Sequence, residues 1–120
     1  MRLWIFSDLH LEFEHWSPLH IPDADVCVVP GDVMPGCAKS IHYLAREIGE
    51  HMPVVFVAGN HEFYGESVVE GVERGRKAAA EYPGKVHFLE NDRVVLDGVR
   101  FLGATLWTDY EIHGDPSFAM

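Results

Sequence analysis

Three short stretches carry side chains whose types could do chemistry: Asp8 and His10 in "SDLH", Gly31 and Asp32 in "PGD", and Asn60, His61 and Glu62 in "GNHE". Two carboxylates, an amide oxygen and imidazoles gathered at one point make a poor unaided acid–base pair, because the carboxylates repel each other. A divalent cation removes that cost by supplying positive charge. Mixed oxygen and nitrogen donors suit manganese, iron or zinc better than calcium or magnesium. Taken singly, each residue has a plainer reading. Asp8 or Asp32 would serve as a turn residue after a strand, and His61 as a satisfied loop histidine. The chemistry therefore depends on whether the fold brings the three stretches together.

Each stretch follows a continuous apolar run: "RLWIF" at 2–6, "ADVCVV" at 24–29 and "PVVFVA" at 53–58. Runs rich in Val, Ile and aromatics, bounded by Gly, Pro or Asp, read as strands of a parallel sheet buried on both faces. Between the second and third, Ile41, Leu44, Ala45 and Ile48 fall at i, i+3, i+4 and i+7, the stripe of a helix packed on a sheet. Ser67 and Glu70 form an S-x-x-E capping box opening a second helix, which Pro83 and Gly84 end. Gly71 and Gly75 weaken that helix by about 1 kcal/mol each, so packing must support it. "KVHFLE" predicts a further strand, and "RVVLD" and "RFLGAT" around Asp97-Gly98 predict a hairpin. The expected fold is α/β, a mostly parallel sheet with a C-terminal hairpin. Residues 106–120 show no clear period and read as a loop. In an open α/β sheet ligands bind beyond the carboxyl ends of the strands, so this topology would put all three polar stretches on one rim.

Composition narrows the function classes. The 120 residues predict one domain over 1–120, and a 48% apolar fraction is enough to build a core. The formal net charge of -10 opposes attraction to phosphate backbones and anionic lipid, so nucleic acid and membrane surfaces are disfavoured as partners. Two cysteines without a CxxC pair, Cys27 and Cys37, read as reduced thiols. No signal-peptide pattern opens the chain and no apolar run approaches the ~18 residues of a membrane span, which predicts a soluble cytoplasmic protein. "GDVMPGCAKS" imitates a phosphate-binding loop, but Cys37 stands where such a loop needs lysine. His15, His20, His42 and His51 read as loop or helix-face histidines without partners, and His87 as a strand residue. Trp4, Trp16 and Trp107 read as packing, with Trp107 also a candidate cleft wall.

D-x-H, then G-D, then G-N-H-E, each after a buried strand, resembles the calcineurin-like metallophosphoesterase family, from Met1 through at least "FLGATLWTDY". The resemblance implies a β-sandwich flanked by helices and hydrolysis of phosphate mono- or diesters with two divalent metal ions. It further implies that Asp8 and His10 hold the first ion, that Asp32 bridges both, and that Asn60 binds the second through its side-chain oxygen. His61 would face the phosphate as general acid for the leaving group or as a stabiliser of transition-state charge, with Gly31, Gly59 and Glu62 in supporting positions and Glu62 orienting His61. The family pattern continues with an isolated histidine and a G-H-x-H segment. Beyond His61 this sequence has only His87 and His113, so the expectation is the N-terminal half of such a domain, truncated and missing its C-terminal half. Such a half would leave a sheet edge uncovered and self-associate as a homo-oligomer, most simply a dimer. The alternative expectation is a non-catalytic, self-associating module that binds one metal or none.

Overall fold

Val, Ile and aromatic side chains fit an extended, pleated backbone, and the three apolar runs form β1 (Leu3–Ile5), β2 (Val26–Pro30) and β3 (Val54–Val57). The computed structural model describes residues 1–109 and 111; His113 and most of the predicted C-terminal loop lie outside the described residues. A fourth strand, β4 (Val86–Phe88), joins β3, and the sheet is parallel throughout in the order β1-β2-β3-β4. Trp4 pairs with Cys27, Cys27 with Val54, and Val54 with Val86.

Parallel strands need crossovers, and two helices supply them: α1 (Cys37–Glu47) between β2 and β3, and α2 (Val68–Ala80) between β3 and β4. The predicted stripe of Ile41, Leu44, Ala45 and Ile48 is fully or almost fully buried. Alternate strand residues supply the two faces of the sheet. Cys27, Val29, Val54, Phe56, Val86 and Phe88 pack in the main core with α1 residues, whereas Val26, Val55 and Leu89 form a second cluster with Val94, Leu96 and Phe101. The latter three belong to the hairpin of β5 (Asp92–Leu96) and β6 (Val99–Gly103). Asp97 and Gly98 both take positive φ (49° and 76°), the two-residue turn whose twist matches the flanking strands. With both faces of the sheet covered over most of their area, the strands read as continuous apolar runs. The fold is the expected α/β arrangement.

Coverage is incomplete at two places. Leu3 and Ile5 of β1 are exposed, as are Val95 and Leu102 on the outer side of the hairpin. Among the described residues, neither outer edge of the hairpin pairs with a further strand. No helix among the described residues is long and apolar enough to cross a membrane.

The histidines outside the polar stretches need two corrections, the first at His15, whose Nε2 lies 3.3 Å from the Ser17 hydroxyl. His42 is not without partners, since its Nδ1 lies 2.7 Å from the Tyr82 hydroxyl and its Nε2 3.7 Å from Glu81, tying α1 to the end of α2. His87 on β4 has a buried Nε2 with no partner among the described residues, and burial lowers its pKa. Cys27 and Cys37 are free and buried, and burial pushes both thiols up to about 12. Trp4 and Trp16 both pack against Phe6, while Trp107 lies 5.8 Å from Phe63.

Helix α2 starts where its cap predicts, with the Ser67 hydroxyl accepting from the Glu70 amide at 3.1 Å. Its glycines are a packing device. A Cβ on Gly75 would stand 2.6 Å from Cε2 of Phe88 and 3.1 Å from Cβ of Cys37, and one on Gly71 2.9 Å from Phe63. Helix propensity alone favours Gly75→Ala by about 1 kcal/mol. Phe88, however, is buried and stacked on Phe56 at 5.7 Å, so its ring has no free direction to yield. Overpacking of this kind costs about 1–3 kcal/mol. Gly75→Ala is therefore expected to lower the urea midpoint at unchanged m-value; a raised midpoint would show that propensity wins.

Candidate metal centre

The rim forms because the β1–β2 pairing continues past the strand ends as irregular backbone bonds. The amide of Asp8 donates to the Gly31 carbonyl at 3.0 Å, that of His10 to Asp32 at 3.0 Å, and that of Leu11 to Val33 at 2.8 Å. Asp8, His10 and Asp32 all take left-handed backbone (φ 59°, 47° and 56°), a region that Asp and His enter more readily than most residues. One ligand atom from each lies within 4.8 Å of the others.

The third stretch is brought against the second by two close-packed glycines. A Cβ on Gly31, whose φ is 87°, would meet Cα and N of Gly59 at 2.8 Å. One on Gly59 would meet Oδ1 of Asp32 at 2.2 Å. Any side chain at either position would separate the loops.

Residues Asn60–Phe63 then form a 3-10 turn. From it the His61 amide donates to Oδ1 of Asp32 at 3.0 Å, and the imidazole stands edge-on to His10 with ring centroids 4.5 Å apart. Asn60 sits one residue earlier, its side-chain amide 3.4 Å from the Tyr64 hydroxyl.

Glu62 does not orient His61. Its carboxylate is fully buried and accepts from the amides of Gly59 (2.6 Å), Asp32 (2.8 Å), Val33 (2.7 Å) and Met34 (3.1 Å) and from the Ser40 hydroxyl (3.2 Å). Burial lifts its pKa above the ordinary glutamate value, and the amides of Gly59, Asp32, Met34 and Val33 oppose the rise. The partner of the His61 imidazole is Glu12, whose Oε1 lies 2.9 Å from His61 Nδ1 and 3.3 Å from His10 Nδ1. The hydrogen bond that the His10 ring donates to Glu12 is the chief cause raising the His10 pKa, against desolvation. Burial would raise the Glu12 carboxyl, yet its own backbone amide and the two imidazoles together hold it below the usual value. Sequence reasoning did not single out Glu12; the only signal was a carboxylate two residues past His10. His10, Glu12 and His61 form a second group with ligand atoms within 4.8 Å.

The donor set fits a divalent ion. Carboxylate oxygens and an imidazole converge on a rim whose loops are packed together at two glycines, and adjacent acids of one sign gain from a cation between them. A family model for calcineurin-like phosphoesterases matches residues 1–117. The chain belongs to that family. Membership implies metal-dependent hydrolysis of phosphate esters as the general chemistry of this phosphoesterase domain. Comparison with curated proteins and with solved structures gives no match.

Replacing the Glu62 carboxylate tests the scaffold of this rim. In Glu62→Gln one acceptor oxygen becomes an NH2 facing amide donors in a dry pocket, at a cost of about 3 kcal/mol. The urea midpoint is expected to fall accordingly, and the amides of Asp32, Val33 and Met34 to lose hydrogen-exchange protection. Unchanged protection of those amides would refute the role given to Glu62.

Proposed function

We propose that the chain hydrolyses phosphate mono- or diesters at this rim, with Asp8, His10, Asp32 and Asn60 holding two divalent ions and His61 as the general acid. The observation that carries the reading is the convergence of Asp8, His10 and Asp32 within 4.8 Å beside the ring of His61. Manganese, iron or zinc suits these donors. When bound, such ions supply positive charge to phosphoryl oxygens and acidify water. Asp8 and His10 would hold the first ion, Asp32 would serve both, and the Asn60 side-chain oxygen would hold the second. The amide of His61 fixes one oxygen of Asp32 and so its orientation. As the phosphorus–oxygen bond to the leaving group breaks, His61 gives its proton to the departing oxygen. Two buried free thiols fit the reducing cytoplasm as the working compartment.

A second reading, a self-associating module with one metal or none, is favoured by the exposure of Leu3 (43%), Ile5 (60%), Val95 (58%) and Leu102 (76%). Burying such side chains and the unpaired hairpin edges in a second copy removes apolar surface from water and satisfies backbone groups. Both readings predict a homodimer, and a strictly monomeric species at micromolar concentration in sizing experiments would contradict this.

Hydrolysis of an aryl phosphate and an aryl phosphodiester by the metal-loaded protein separates the two. Turnover that falls at least about 100-fold in Asp32→Asn, together with loss of bound metal, is the result expected of the enzyme. A metal-free dimer without turnover would decide for the module.

A further inference from the structure

We infer that Glu12 is a positioning residue that sets the tautomer of two histidines at once, His10 and His61. The inference concerns how this chain prepares its imidazoles, and its catalytic consequence rests on the function proposed above.

The geometry is that of one oxygen shared by two rings: Oε1 of Glu12 is 2.9 Å from Nδ1 of His61 and 3.3 Å from Nδ1 of His10. An ionised carboxylate only accepts, so each Nδ1 that bonds to it carries the hydrogen. A neutral ring holds one hydrogen, which leaves Nε2 of both rings with a free lone pair. In water a histidine side chain prefers the opposite arrangement, with the proton on Nε2.

For His10 the consequence is metal binding. Its Nε2 lies 3.6 Å from Oδ1 of Asp8, on the side of the acidic group that includes Asp32. A ligating imidazole whose other nitrogen donates to a carboxylate is held in one orientation and made more basic. For His61 the consequence is directional. With Nδ1 committed to Glu12, Nε2 is the one ring atom that can take up a proton, and the imidazolium so formed can hand that proton to a departing oxygen. The two rings pack edge to face, so fixing one restrains the other.

The Glu12 side chain is 19% exposed and that of His61 20%, so water competes only in part for this bond. Glu12 reaches His61 across 49 residues of sequence, linking the loop after β1 to the turn after β3. Through it the first and third polar stretches are joined directly, without passing through the second.

The test is a tautomer measurement on the metal-free chain, made at pH 9, above the ordinary imidazole range. Long-range proton–nitrogen spectra of 15N-histidine protein are expected to show Nδ1–H forms for His10 and His61 in the wild type. Glu12→Ala should move both toward Nε2–H, and Glu12→Gln, which keeps an acceptor oxygen at the same reach, should retain the wild-type pattern. Manganese affinity, followed by calorimetry, is expected to fall about 10–100-fold in Glu12→Ala. An Nε2–H form of His61 in the wild type, or tautomers indifferent to Glu12→Ala, would overturn the inference whatever the activity. The wild-type spectrum alone decides if Glu12→Ala fails to fold. The expected tautomers with no turnover of aryl phosphates under manganese, iron or zinc would sink the proposed hydrolysis and leave the role of Glu12 standing.

Discussion

A fully buried carboxylate with five donors around it holds the rim together. Burying a charge in a protein interior costs several kcal/mol unless hydrogen bonds replace water, and Glu62 recovers part of that loss by taking the otherwise unpaired amides of two loops. The strap is reciprocal. Glu62 holds the backbone of Asp32, while the side chain of Asp32 holds the backbone of His61. A further bond from the Gly36 amide to the Glu62 carbonyl fixes the start of α1 to the same turn. Loops that would otherwise move independently thus share one network, and each polar stretch after the first has its position set by another.

Electrostatics then explains the backbone. In a chain of net charge -10, placing Asp8 and Asp32 near each other is unfavourable without a cation. Three of the candidate ligands nevertheless occupy left-handed backbone, which non-glycine residues enter only when surroundings over-determine it. Here the surroundings are the extended β1–β2 pairing, the close approach of Gly31 to Gly59, and the bond from His61 to Asp32. Left-handed backbone held by a scaffold and a concentration of negative charge occur at the same residues, an arrangement that would suit a preorganised metal site.

Much of this could be read from the residues alone. The strands announced themselves because both faces of the sheet are covered, and α1 because its apolar stripe has a clean helical spacing. The Asp97-Gly98 turn was legible because few residue pairs accept positive φ twice in succession. What escaped was tertiary. Glu62 stands beside His61 in sequence, which suggested that it orients the ring, yet successive residues on a helical turn do not face each other. The true partner, Glu12, belongs to no periodic element and meets His61 only after the sheet has formed. Gly71 and Gly75 looked like weak points of α2 for a similar reason. Propensity counts the helix by itself, whereas the clearance they give to Phe63 and Phe88 appears only when the layers are stacked.

The sheet order β1-β2-β3-β4 has a bearing on how the molecule is made. Each strand lies next to the one synthesised just before it, so a chain emerging from the ribosome can extend the sheet from one edge without inserting a late segment between earlier ones. All the residues of the rim, from Asp8 to Glu62, precede α2 and the hairpin. The centre can therefore be laid down while α2 and the hairpin are still being translated, with these later elements arriving to clamp a geometry already specified upstream.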